Sequence, residues 1–75
     1  PDPEMYLLAC ERAGLAPEEC AVVEDSRNGC VSGITAGCHV FAVPDIVPLP
    51  QDVVDGCEVV LDTLFDLTAA VKAVR

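Results

Sequence analysis

Residues 21–29 read Ala-Val-Val-Glu-Asp-Ser-Arg-Asn-Gly, and this stretch decides the fold. The apolar run Ala21–Val23 is short, rich in β-branched residues and uncharged, which is typical of a buried strand in a parallel sheet. It stops at two adjacent carboxylates, Glu24 and Asp25. Ligands of open α/β sheets collect at the carboxyl ends of the strands, and carboxylate oxygens suit Mg²⁺ better than a transition metal. The stretch therefore predicts half of a metal-dependent active site.

A helix is predicted directly after the two carboxylates, from about Asn28 to Ala36. Ser26 can cap its start, and Gly37 stands just past its end. Gly29 and Gly33 lie inside the helix, where each glycine costs ~1 kcal/mol relative to alanine, so something must approach the helix closely. Two interpretations remain open. The helix either packs tightly on the sheet, or brings a backbone amide close to a phosphate at its start.

An earlier helix is predicted near the start of the chain. Asp2 can cap it, Pro3 suits the first helical position, and Glu4 favours the positive end of the helix dipole. Gly14 is expected to close it. The apolar residues at helical spacing, predicted to form its buried face, are Met5, Leu8, Ala9 and Ala13.

Two further strands are predicted downstream, at His39–Val43 and Glu58–Leu61. The segment Pro44–Gly56 between them holds several prolines and is predicted to be mostly loop, with a turn of helix near Gln51–Val54. Asp62 or Thr63 is expected to cap a last helix. The residues that share one face of that helix are Leu64, Leu67, Val71 and Val74. The pattern indicates one α/β domain with three short strands.

Composition excludes several classes of function. The chain has 75 residues, four basic and thirteen acidic, with a net charge of −9 and a pI near 4.1. Without a basic stripe we expect no nucleic-acid partner and no anionic membrane surface. No apolar stretch approaches the ~18 residues of a membrane span, and no signal peptide is apparent. We therefore expect a soluble, cytoplasmic protein.

The thiols and the single histidine are predicted to be structural. The cysteines are Cys10, Cys20, Cys30, Cys38 and Cys57. Their number is odd and no Cys-x-x-Cys pair occurs, which argues against a zinc knuckle or a redox motif. Cys10, Cys30 and Cys38 have apolar neighbours and should behave as small hydrophobic residues. His39 has no second histidine or cysteine at ligand spacing, so a structural role is expected.

Two stretches together resemble one family. Residues 1–6 look like the Lys-Pro-x-Pro helix start of the haloacid dehalogenase (HAD) superfamily, and residues 21–29 are similar to its fourth motif. The Glu-Asp-Ser form is typical of the β-phosphoglucomutase-like branch. Residues 33–37 and 56–64 continue the likeness, which thus covers nearly the whole chain.

The resemblance implies a doubly wound parallel (Rossmann-like) sheet and a Mg²⁺-dependent phosphoryl transfer. In such enzymes an aspartate after the first strand forms an aspartyl-phosphate, and the acidic pair of the fourth motif helps to bind Mg²⁺. Carried over residue by residue, the metal role falls on Glu24 and Asp25. Ser26, Asn28 and Gly29 would stand behind the metal ligands or near the phosphate. A cation makes chemical sense here because a carboxylate nucleophile is repelled by an anionic phosphate.

The departures from the family pattern predict an incomplete enzyme. No Asp-x-Asp-x-Thr motif occurs in the sequence, so the nucleophile is missing, and so is the cap domain. The motif's lysine would stand immediately before Pro1. Residues 1–75 are therefore interpreted as the carboxy-terminal portion of a HAD-like core domain. The parent would act on small phosphorylated sugars or metabolites, as phosphatase or phosphomutase, and this chain alone should be inactive and bind Mg²⁺ weakly or not at all.

Other functions stay open from the sequence. Glu24 and Asp25 could be solvated carboxylates that merely end a strand. The half-fold could serve as a non-catalytic interaction or regulatory module. A receiver-like domain in which Asp25 accepts a phosphoryl group is a weaker alternative, because no earlier acidic pair follows a strand. The strand at residues 21–23 would lie against the missing nucleophile strand, so the isolated chain is expected to fold poorly or to self-associate through that edge.

Overall fold

The computed structural model describes residues 2–44 and 48–62. Asp45 and the helix predicted after Asp62, with Leu64, Leu67, Val71 and Val74, lie outside the described residues. The elements are α1 (Glu4–Ala13), a 3-10 turn (Pro17–Glu19), β1 (Ala21–Glu24), α2 (Arg27–Ala36), β2 (His39–Ala42), α3 (Gln51–Gly56) and β3 (Val59–Val60). None of the helices in these two ranges is long and apolar enough to cross a membrane.

The described strands form one parallel sheet in the order β1-β2-β3. Ala21 lies opposite His39, Glu24 lies opposite Ala42, and Phe41 lies opposite Val59. The prediction of three short parallel strands with flanking helices is thereby confirmed. Several bounds differ. The helix α3 has six residues rather than one turn in a loop, β3 is shorter than predicted, β2 ends one residue earlier at Ala42, and β1 includes Glu24.

Side-chain caps and glycines set the ends of the two longer helices. Ser26 has extended backbone geometry, and its Oγ accepts a hydrogen bond from Gly29 N at 3.1 Å. Asp2 Oδ1 accepts one from Glu4 N at 2.9 Å. The helices end at Gly14 and Gly37, whose φ angles of 73° and 92° are left-handed. Glycine adopts that geometry without a steric penalty. The predicted Ser26 cap and the two predicted stops are therefore confirmed, whereas Pro3 is the N-cap of α1 rather than its first helical residue.

The buried face of α1 was predicted wrongly. Met5 is 74% exposed and Leu8 is 46% exposed. The face that packs is the one with Tyr6 and Cys10, and Cys10 is only 5% exposed. Apolar residues occur on more than one side of this helix, so helical spacing alone could not choose between the faces.

The helices cover the sheet face to which Val22, Val40 and Ala42 contribute. Cys30 of α2 and Val53 of α3 pack with Val40 and Ala42 in one cluster, and Val22 packs against it. A second cluster joins α1 to the sheet through Cys10 and Cys38. Val40 and Ala42 have no exposed surface, so both clusters lie on this face, while Phe41, which is 1% exposed, is buried on the opposite face of β2.

Gly33 confirms that one of the two small residues in α2 serves helix-on-sheet packing. A Cβ at this position would lie 2.7 Å from Val40 Cγ2 and 2.8 Å from Val22 Cγ2. Both methyl groups belong to valine side chains, which are short and β-branched, so neither can swing aside freely.

Replacing Gly33 by alanine should therefore destabilise the protein. Overpacking a core costs ~1–3 kcal/mol, and the helix gains back at most ~1 kcal/mol. We expect the free energy of unfolding in urea to fall by about 1–2 kcal/mol. Gly56→Ala is the matched control, because its Cβ would meet the terminal methyl of Ile34, which can rotate away. Equal stability of the two variants would contradict the packing argument.

The buried thiols behave as small hydrophobic residues, as predicted. Cys10, Cys30 and Cys38 are at most 8% exposed, and all five cysteines are free. Burial, followed by the neighbouring Cys57, raises the pKa of Cys30 to about 12. This thiol therefore stays protonated at neutral pH and contributes to packing rather than to nucleophilic chemistry.

Both edge strands of the sheet, β1 and β3, are unpaired on their outer sides within the described ranges. There β1 pairs with β2 on one side only, and Val23 in its middle is 46% exposed. An open apolar strand edge offers backbone donors and acceptors to any further strand.

Candidate functional site

The predicted site lies where β1 ends. Glu24 is the last residue of β1, Asp25 and Ser26 form a bend, and α2 begins at Arg27. Ala42, the last residue of β2, lies beside Glu24 in the parallel register. Both strands therefore end at the same edge, which is the edge where parallel α/β sheets bind ligands.

The Glu24 carboxylate is held between two helices. The Tyr6 hydroxyl of α1 donates a hydrogen bond to Glu24 Oε2. On the side of α2, a Cβ at Gly29 would lie 1.8 Å from Glu24 Oε1 and 2.2 Å from its Cδ. The carboxylate thus occupies space that exists only because residue 29 has no side chain.

Tyr6 stays protonated in this arrangement. Burial, then the hydrogen bond to the Glu24 carboxylate, raises the pKa of the Tyr6 phenol well above its ordinary value. A neutral phenol donates a hydrogen bond to the carboxylate, whereas a phenolate would repel it. The contact between the neutral phenol and the carboxylate is therefore a charge-assisted hydrogen bond.

Asp25 is exposed and stands next to Glu24 in the bend. The hydrogen bond of Arg27 goes to Asn28 Oδ1, at 3.2 Å. Within residues 2–44 and 48–62, an ion pair joins His39 to Glu58, and neither Glu24 nor Asp25 takes part in one. Ion pairing of these carboxylates with Arg12 or Arg27 would have argued against a metal role, and the described residues do not show it.

The polar residues predicted to lie behind the ligands have defined local roles. Ser26 caps α2 through Gly29 N, and Asn28 binds the Arg27 guanidinium. Gly29 makes room for Glu24 rather than only shaping a turn. The structure therefore brings Glu24 and Gly29 together and leaves Ser26 and Asn28 in the first turn of the helix beside them.

His39 is structural, in agreement with the prediction. Its Nδ1 lies 2.6 Å from Glu58 Oε1, and its Nε2 lies 2.9 Å from the Glu18 carbonyl oxygen. Both ring nitrogens are thus engaged, and the histidine ties β2 to the segments on either side of it.

The donor set at the end of β1 fits a hard divalent cation. It offers two carboxylates, one of them exposed, with a hydroxyl in the next residue. Across the described residues, no cluster of three or more histidine, cysteine or acidic side chains is placed to hold a metal. Carboxylate oxygens are nevertheless ligands that Mg²⁺ accepts, together with several waters.

Sequence reasoning missed the contribution of Tyr6. The residue lies inside the helix-start stretch that resembles the HAD family, but its partner is 18 positions away in the chain. The available signal was a tyrosine on the same helix face as Cys10, four residues later, because a phenol on a buried face needs a polar partner.

A family model and curated relatives match the chain. The model of haloacid dehalogenase-like hydrolases matches residues 1–37. Hexitol phosphatase A of Escherichia coli is 44% identical over 68 residues, which cover 91% of this chain and 31% of that enzyme. A phosphoglycolate phosphatase of Nitrosospira multiformis is 34% identical over 73 residues, which cover 96% of this chain and 32% of that enzyme.

Solved structures show the same architecture. A conserved haloacid dehalogenase-like protein of unknown function from Agrobacterium tumefaciens superimposes with a TM-score of 0.82 and 28% identity, over 99% of this chain and 36% of that one. A HAD family hydrolase from Deinococcus radiodurans, solved with bound phosphate and sodium, gives a TM-score of 0.79 and 32% identity, over 97% of this chain and 34% of that one.

The chain belongs to the haloacid dehalogenase superfamily, and its sheet is part of that superfamily's Rossmann-like fold. It spans about a third of the length of the curated relatives it matches.

Proposed function

We propose that this chain supplies the Mg²⁺-binding carboxylates of a HAD phosphatase acting on small phosphorylated metabolites. The observation that carries the proposal is the position of Glu24 and Asp25 at the carboxyl end of β1. Glu24 is fixed there by Tyr6, while Asp25 stays exposed. A fixed carboxylate beside an exposed one is suited to cation binding, which favours this role over that of two solvated carboxylates that merely end a strand.

Glu24 and Asp25 would hold the cation in this proposal. A bound Mg²⁺ neutralises charge between an anionic phosphate and an attacking carboxylate. Ser26 fixes the start of α2 and thereby the bend that carries Asp25. Asn28 and Gly29 lie in the first turn of that helix, beside the region in which a phosphate would be placed.

The nucleophile would come from outside residues 1–75. We infer that these residues form the carboxy-terminal portion of the core domain, and that the complete protein also carries the nucleophile strand and a cap. An aspartate there would attack phosphorus, forming an aspartyl-phosphate as the bond to the leaving oxygen breaks. Water would then release the phosphate in a phosphatase, or a sugar hydroxyl would accept it in a phosphomutase. The 75-residue chain alone would be inactive.

The substrate class is proposed from the relatives. Besides the two enzymes already described, they include a phosphorylated carbohydrates phosphatase of Thermotoga maritima. The phosphate bound in the Deinococcus radiodurans hydrolase supports a phosphate-binding site in this fold. The Glu-Asp-Ser sequence supports the β-phosphoglucomutase-like branch. Five free thiols support a cytoplasmic location, because disulfides are rare in reducing compartments.

Removal of the metal is the direct test of the proposed function. The complete protein should hydrolyse p-nitrophenyl phosphate and a hexitol phosphate with Mg²⁺ present. Excess EDTA should lower turnover more than about 100-fold, because the repulsion between two anions is then unscreened. Added Mg²⁺ should restore activity, and Ca²⁺ serves as the control cation of the same charge. Activity that survives EDTA, or no phosphatase activity with any phosphate ester, would contradict the proposal and favour an interaction module.

A further inference from the structure

The contact between Tyr6, Glu24 and Gly29 is the strongest feature that the proposed roles leave unused. It joins the first turns of α1 and α2 to the last residue of β1. We propose that Tyr6 and Gly29 are positioning residues that fix the Glu24 carboxylate for cation binding, Tyr6 through its hydroxyl and Gly29 through its missing side chain. This inference rests on the proposed function, since it concerns the same cation site.

The hydroxyl of Tyr6 constrains one oxygen of the carboxylate. A glutamate side chain has several rotatable bonds, and ordering it costs conformational entropy. The hydrogen bond to Oε2 selects one arrangement before a cation arrives. Partners that hold a metal-binding carboxylate in this way contribute 10–100-fold to metal affinity in other proteins, roughly as much as we expect here.

The absent side chain of Gly29 leaves the space that the other carboxylate oxygen occupies. A Cβ at this position would overlap Glu24 Oε1, Cδ and Oε2, at distances of 1.8, 2.2 and 2.8 Å. These atoms are the far end of a flexible side chain, so an added methyl group would push the carboxylate away without disturbing the backbone. Gly29 differs in this respect from Gly33, whose neighbours are core methyl groups.

This difference separates a positioning role from a structural one. Alanine is a better helix former than glycine, and this gain offsets the loss of the hydrogen bond between Tyr6 and Glu24, so Gly29→Ala should leave thermal stability nearly unchanged. If residue 29 had only a structural role, the affinity of the variant for the cation would change only together with its thermal stability. The proposal requires that affinity falls while stability does not.

The test uses the complete protein and two single variants, Tyr6→Phe and Gly29→Ala. Binding of Mn²⁺ alone is measured by electron paramagnetic resonance of the free ion, and the Mg²⁺ concentration for half-maximal turnover is measured separately. We expect each variant to raise the Mn²⁺ dissociation constant roughly tenfold. The half-maximal Mg²⁺ concentration should rise in parallel, with the turnover at saturating Mg²⁺ changed less. The control is Gly56→Ala, whose Cβ would meet Ile34 rather than Glu24, and it should bind Mn²⁺ as the wild type does.

The outcomes separate this inference from the proposed function. If the wild type binds Mn²⁺ and both variants bind it equally well, the positioning inference is wrong and the proposed function stands. If the wild type neither binds Mn²⁺ nor needs Mg²⁺, the proposed function itself is wrong. A Gly29→Ala variant that loses affinity only together with thermal stability would also overturn the positioning role.

Discussion

Replacing Asp25 by alanine in the complete protein should lower Mg²⁺-dependent turnover of p-nitrophenyl phosphate more than about 100-fold, which exceeds the usual effect of losing a group that merely supports a ligand. Asp25 is the exposed carboxylate at the carboxyl end of β1. In the proposed site it meets the cation directly, whereas Glu24 also accepts a hydrogen bond from Tyr6. No other side chain in the bend carries a negative charge that could replace it.

Two further variants make the Asp25 result specific. Asp25→Asn keeps the shape but removes the charge, and it should lose nearly as much activity, because Mg²⁺ binds carboxylates far better than amides. Asp55→Asn is the matched control. This residue is also an exposed aspartate, and it only accepts a hydrogen bond from Gln51 at 2.8 Å. Unchanged activity of Asp25→Ala at saturating Mg²⁺ would remove Asp25 from the site.

The isolated 75-residue chain should self-associate or fold poorly. The edge of β1 is unpaired within the described residues, and Val23 there is 46% exposed. A chain of this length also buries only ~60–65% of its unfolded surface, so its margin of stability is small. Size-exclusion chromatography with multi-angle light scattering should give a mass above that of the monomer, 7.9 kDa, or circular dichroism should show little structure.

A charge placed on the open edge should reduce this association. Val23→Lys puts a cation in the middle of β1, which is how natural proteins protect edge strands. Leu8→Lys is the matched control, because Leu8 has the same exposed fraction, 46%, but lies on α1. We expect association to fall for Val23→Lys and to persist for Leu8→Lys. A compact, stable monomer of the unmodified chain would contradict the edge argument.

The elements that could be predicted from sequence are those with strong local signals. Ser26 and Gly37 mark the limits of α2, and the apolar run before Glu24 marks β1, because caps and buried strands depend on a few adjacent residues. The position of the two carboxylates at the end of β1 follows from the same signals. The resemblance to the HAD superfamily, now confirmed, rested on this stretch together with the helix start at residues 1–6.

What could not be predicted depends on contacts between distant parts of the chain. The buried face of α1 could not be chosen because Met5 and Leu8 are as apolar as the residues that pack. The role of Tyr6 depends on Glu24, and the role of Gly29 depends on which way that carboxylate turns. None of these contacts leaves a periodic pattern in the sequence.

A crystal structure of the complete protein with Mn²⁺, recorded for anomalous scattering, tests the central claim most directly. We predict an anomalous peak at the carboxyl end of β1, about 2.0–2.3 Å from an oxygen of Asp25, which is a bonding distance for a small divalent cation. The Glu24 carboxylate should remain on Tyr6 and face the peak. A fully occupied peak elsewhere in the core domain, with the Asp25 side chain turned toward solvent, would contradict the account.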